Sequence, residues 1–189
     1  MKTKTLIFVL AIVMNFVSNG QTATDSSQNF HWEIWKTIKI GTHKSVNEIK
    51  NVLGLQGYNI TDQADVLLNN PDFKISKQEQ EIKLVVLTRK ELGLKYSYSL
   101  REFYAAALKK GLFLCPPETG PALREQYKNQ PENEWIYIAM EPITPIGEDQ
   151  PFIFFVSYGY GRLSLGAYFG ALDGLNWGDN KYVFCLVEH

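Results

Sequence analysis

From residue 134 onward the chain consists of short runs of β-branched and aromatic residues, each closed by Pro, Gly, Asn or Asp. This pattern limits the fold more than any other feature. The runs cover residues 134–141, 152–158, 163–169 and 181–187. Val, Ile, Phe, Tyr and Trp suit a pleated, half-buried surface, and the breakers between the runs favour turns. Tyr158-Gly159-Tyr160-Gly161-Arg162 reads as a tight hairpin connection, because glycine takes positive φ without steric cost. The second half therefore predicts an antiparallel meander of about four strands.

The first half carries helix signals instead. Ser45 with Glu48, Thr88 with Glu91, and Ser99 with Glu102 have the spacing at which two side chains satisfy the free amides of a helix start. Val46, Ile49 and Leu53 recur at helical spacing until Gly54, and Ala64, Leu67 and Leu68 follow Thr61 until Pro71. Leu100, Phe103, Tyr104, Ala107 and Leu108 form the clearest apolar stripe, closed by Lys109, Lys110 and Gly111. Residues 81–88 form a strand between these helices. The expected fold is α+β, with N-terminal helices packed on the C-terminal antiparallel meander.

Lys2 and Lys4 precede an apolar run at residues 6–14, and Ser18-Asn19-Gly20 follows with small residues where a signal peptidase reads. Residues 1–20 are thus expected to be a secretory signal peptide, too short in its apolar part to span a bilayer. Residues 21–37 are expected to be a flexible mature N-terminus, and residues 38–189 a single domain. Without the signal the chain carries three more acids than bases, which argues against nucleic acid as a partner. No transmembrane span is expected after cleavage, and the protein is expected to be secreted or periplasmic. In an oxidising compartment Cys115 and Cys185 form either a disulfide or two buried thiols.

The block GLFLCPPETGPALREQY at residues 111–127, with Gln130-Pro131, Glu134-Trp135 and IAMEPIT at residues 138–144, resembles a family of short bacterial proteins with no assigned activity. The likeness extends upstream to residues 38–45, so it spans nearly all of the mature chain. It carries Cys115 but not Cys185, and it implies no ligand.

Three scattered histidines, and cysteines outside any paired spacing, leave no metal site expected, and no cofactor-binding motif is present. Two groups of residues remain. Pro116, Pro117, Gly120 and Pro121 stiffen a segment that carries Glu118, Arg124 and Tyr127, with Glu141 downstream. Pro121 can open a helix there. Either Arg124 grips an acidic ligand in a small polar pocket, or it pairs with Glu118 or Glu141 in a rigid structural corner. The second group is aromatic: Trp135, Tyr137, Tyr158, Tyr160, Tyr168, Phe169 and Trp177, interleaved with Arg162, Asp173, Asn176 and Asp179. On one open sheet face such rings stack on sugars or anchor a protein. Tyr160, Arg162, Asp173 and Trp177 are the residues expected to touch a ligand. The leading expectation is a non-catalytic binding module for a protein or glycan. The alternative is an envelope-associated hydrolase whose site is Glu118, Arg124, Tyr127 and Glu141, with one carboxylate as general acid or base.

Overall fold

The computed structural model describes residues 30–186, so the expected signal peptide and most of the expected flexible segment lie outside the described residues. The elements are β1 (Lys36–Ile40), α1 (Val46–Leu55), β2 (Asn59–Ile60), α2 (Asp62–Leu68), β3 (Gln80–Leu87), β4 (Ser97–Ser99), α3 (Leu100–Lys109), α4 (Thr119–Gln126), β5 (Glu134–Ile138), β6 (Phe152–Gly159), β7 (Arg162–Phe169), β8 (Leu175–Trp177) and β9 (Lys181–Leu186).

Local signals account for the helix starts. The Ser45 hydroxyl accepts from the Glu48 amide and that of Thr61 from the Ala64 amide, while Ser99 and Glu102 form a complete capping box. Thr88 and Glu91 also make their bond, at 2.8 Å, yet no helix follows. Gly93 takes φ +72° within the same turn, and the Leu94 amide closes back on the Arg89 carbonyl, so the chain leaves the helical path at once.

Strand pairing departs from the expected architecture. The expectation of N-terminal helices on a four-strand meander is overturned by a mostly β fold, in which a seven-stranded mixed sheet runs β1-β3-β9-β5-β6-β7-β2 and β4 pairs with β8 separately. Only β5, β6 and β7 form the consecutive antiparallel piece. The last strand, β9, crosses over to lie parallel to β5, and its other edge pairs antiparallel with β3. The first half thus supplies four strands. Capping and helical periodicity are local, whereas pairing is decided by partners as far as about a hundred residues away or slightly more. The segment KTIKI of β1 alternates polar and buried positions as an amphipathic strand should, although part of it falls in the stretch expected to be flexible. Just before it, Trp32 donates to the Lys110 carbonyl and Trp35 packs edge-on against Tyr127.

The sheet curls around α4, which touches β1 near one end of the strand order and β6 and β7 near the other. Phe154, Val156, Ile136, Ile138 and Val183 face this side and are buried. Helix α2 covers β7 on the same side, where Phe73 meets Phe154 edge-on. On the opposite side α3 lies over β9, with Phe103 4.6 Å from Tyr182 and 5.9 Å from Phe184 between ring centres. Helix α3 leaves β5, β6 and β7 uncovered on that side.

Close approach of α4 to β6 depends on Gly120, where an added Cβ would lie 2.7 Å from the Phe154 Cβ. Gly120→Ala is therefore expected to lower unfolding free energy by about 1–3 kcal/mol through overpacking. Urea unfolding checks this, and a change within error of zero would show that the helix can slide off the sheet at no cost.

Candidate functional site

The polar block does not assemble into a pocket. Glu118 is buried at the start of α4, and its two carboxylate oxygens accept the amides of Gly41 and Ser76, each at 2.7 Å. Arg124, fully buried, donates to the Gln130 side-chain oxygen at 2.5 Å, to the Ser157 carbonyl at 3.3 Å and to the Tyr127 carbonyl. Its guanidinium also lies over the Tyr58 ring. The expected pairing of Arg124 with Glu118 or Glu141 is thus corrected: carbonyl oxygens take its protons, because Glu118 is committed to two backbone amides. Burial pulls the Arg124 pKa down to about 10. Tyr127 donates to Glu134 at 2.8 Å, and Glu141 is exposed on the surface. Glu118, Arg124 and Tyr127 are thus each engaged inside the protein.

Arg124→Met keeps most of the buried volume but removes the guanidinium donors of the Gln130 side-chain oxygen and the Tyr127 carbonyl, while the Ser157 carbonyl keeps its place in the β6–β7 ladder. At about 1–3 kcal/mol for each buried group left unpaired, the variant is expected to lose about 2 kcal/mol of stability or more. Thermal and urea melts measure this. A melt near wild type would mean that Arg124 is held in place for something other than the fold.

The aromatic group, by contrast, converges. Trp135, Tyr137, Phe155 and Tyr168 project from β5, β6 and β7 on the side that α3 leaves open, because strand pairing sets Trp135 beside Ser157, Tyr137 beside Phe155, and Tyr168 beside Ile153. The ring centres of Trp135 and Phe155 are 4.7 Å apart, Tyr137 and Tyr168 are 5.9 Å apart, and Tyr137 stacks on buried Tyr182 at 5.2 Å. Phe155 lies across Gly166, whose missing side chain leaves room for the ring. Two adjoining troughs share Tyr137 and Asn180. One, of about 560 Å³, runs past Trp135, Asn133 and Lys181; the other, of about 430 Å³, runs past Tyr168, Phe169, Asn176 and Trp177. Four of these rings are open to solvent: Trp135 at 46%, Tyr168 at 50%, Phe169 at 56% and Trp177 at 59%.

Of the four residues expected to touch a ligand, Trp177 lines the second trough. Tyr160 and Arg162 flank the hairpin tip, where Tyr160 takes φ +52° and is wholly exposed. Asp173 is bound by Arg101 through two bonds of 2.7 and 3.0 Å. Tyr158 shares the register of Phe154 and Val156 and so belongs to the α4 side. Sequence reasoning missed Asn180, Asn133 and Phe155. Phe155 alternates with Phe154 inside one apolar run, and nothing in that run tells which ring faces outward. Asn180 reads as a turn residue before β9.

Charges around the troughs neutralise one another. Lys181 and Glu134 pair at 2.7 Å, while Asp179 lies 3.0 Å from Arg89 and 2.7 Å from Lys90. Among the described residues no group of three or more His, Cys, Asp or Glu is placed to hold a metal ion. No helix among them is long and apolar enough to cross a membrane. Comparison with protein-family models, with curated proteins and with solved structures gives no match.

Burial holds Tyr98, Tyr104, Tyr127, Tyr137 and Tyr182 above the ordinary phenol pKa. A phenol whose pKa is raised on folding contributes stability below pH about 10, and that contribution disappears as the unfolded chain ionises above it. Arg124 acts in the opposite sense, since a base whose pKa falls on folding contributes more as pH rises through that range. Five phenols outweigh one guanidinium. The melting temperature is therefore expected to fall from about pH 10, with phenolate absorbance appearing together with loss of structure. Full ionisation of the tyrosines in a still-folded protein would contradict it.

Proposed function

We propose that this chain is an exported, non-catalytic binding module that holds a neutral oligosaccharide along the aromatic troughs. The carrying observation is the convergence of Trp135 and Tyr168, on the sheet side that α3 leaves open, with Phe169, Trp177 and the amides of Asn176 and Asn180 around two adjoining troughs. Rings offer flat apolar surface to the C–H faces of sugars, and amides supply both a donor and an acceptor for hydroxyls. Two adjoining troughs suit a ligand longer than one sugar. The paired charges at the rim favour an uncharged ligand, because an anionic one would have to displace Glu134 from Lys181.

The absence of catalysis in this reading is supported by how the nearby acids are used. Glycoside hydrolysis needs two carboxylates facing the scissile bond, one of them free to carry a proton. Glu134 is tied to Lys181 and Tyr127, Asp179 to Arg89 and Lys90, and Glu132 is exposed.

The test is titration of intrinsic tryptophan fluorescence with neutral hexasaccharides of glucose, xylose and N-acetylglucosamine. At least one is expected to give a saturable change. Trp135→Ala and Trp177→Ala are each expected to weaken it tenfold or more, about 1.4 kcal/mol, without lowering the melting temperature by more than a few degrees. Absence of any response, or a response that both variants retain, would overturn the reading and favour a protein partner on this face.

A further inference from the structure

The connector between α3 and α4 is fastened to the end of β9. Phe113 and Cys185 exchange two backbone hydrogen bonds of 2.9 Å, and the Cys115 amide donates to the Ala139 carbonyl at 2.7 Å. These bonds fix the backbone on both sides of the two cysteines, which are 70 residues apart in sequence. Their sulfurs lie 3.0 Å apart, inside van der Waals contact, and both residues are buried. Here both are thiols. A disulfide has an S–S distance of about 2.05 Å, so closing the bond takes a movement of about 1 Å, within reach of small χ adjustments.

We propose that Cys115 and Cys185 form an intramolecular disulfide, made while the chain folds and then sealed inside it. The reaction is a thiol–disulfide exchange with an oxidant of the disulfide class, such as oxidised glutathione. One cysteine thiolate attacks the oxidant's S–S bond and releases one glutathione thiolate. The second cysteine then attacks the mixed disulfide and releases the other. The two cysteines lose two electrons and two protons, and the oxidant gains both. Timing follows from burial. In the folded protein neither sulfur can be reached, and burial keeps the Cys115 thiol well above its ordinary pKa and so protonated and unreactive. The redox state acquired during folding is therefore retained, whichever it is.

The test is cell-free synthesis of the full chain in two mixtures, one reducing and one buffered with oxidised glutathione. The soluble product is denatured in acid, treated with a maleimide and weighed intact. The oxidising product is expected to take up no maleimide and to weigh about 2 Da less than the unlabelled reduced chain. Before denaturation it is expected to resist dithiothreitol, and to melt about 10 °C above the reducing product, as closure of a long loop implies. Two maleimides on the soluble oxidising product, or disulfide-linked dimers, would overturn the proposal. The mass readout needs no variant, so a cysteine substitution that fails to fold does not affect it.

Discussion

An edge strand whose outer hydrogen-bonding groups are taken by side chains is the constraint on which the rest of this structure depends. The side-chain amide of Gln126 accepts from the Lys39 amide and donates to the Lys39 carbonyl, as a neighbouring strand would. Two residues further along, Glu118 takes the Gly41 amide with one oxygen and the Ser76 amide with the other. Helix α4 thus closes the open edge of β1 while its opposite flank presses on β6. An exposed edge is a template for unwanted pairing, and α4 removes it without adding a strand.

Curling the sheet around α4 commits most of one face to the core and leaves the other to be shared. The short helix α3 spans only β9 and its neighbourhood, and its aromatic residues meet Tyr182 and Phe184 there. Among the described residues, the three strands beyond it have no helix above them. Their rings cover one another, with Tyr137 stacked on Tyr182 and Phe155 beneath Trp135, so the exposed surface continues the core rather than standing apart from it. Large exposed aromatic patches are unusual on a monomer that binds nothing. Because strands rather than loops carry most of these rings, their spacing is set by the sheet and hardly changes with a ligand bound.

The block that looks most like chemistry in the sequence is where the interior is most polar. Arg124 is buried without a carboxylate, and the carbonyls it binds belong to the end of its own helix and to β6. Its donors tie the end of helix α4, the turn after it and β6 to one another. Glu118 plays the same part at the other end of α4. Prolines, a glycine and paired charges in one segment are the marks of a rigid corner as much as of a site, and only the partners distinguish the two.

Helix starts, turn positions and most of the strand segments were legible in the sequence, because each rests on residues within a few positions of one another. Ser99 with Glu102, and the Tyr160-Gly161 hairpin, are cases where local chemistry suffices. The aromatic residues could be named as a group for the same reason. Which of them share a surface could not, because Phe154 and Phe155 differ in sequence by one step and in the fold by the whole thickness of the sheet. Nor could the sheet order be read: β9 lies between β3 and β5, a pairing that combines one antiparallel and one parallel contact across long loops. Those choices follow from which arrangement buries both faces of β9 while pairing both of its edges. That is a property of the assembled chain, and no single segment contains it.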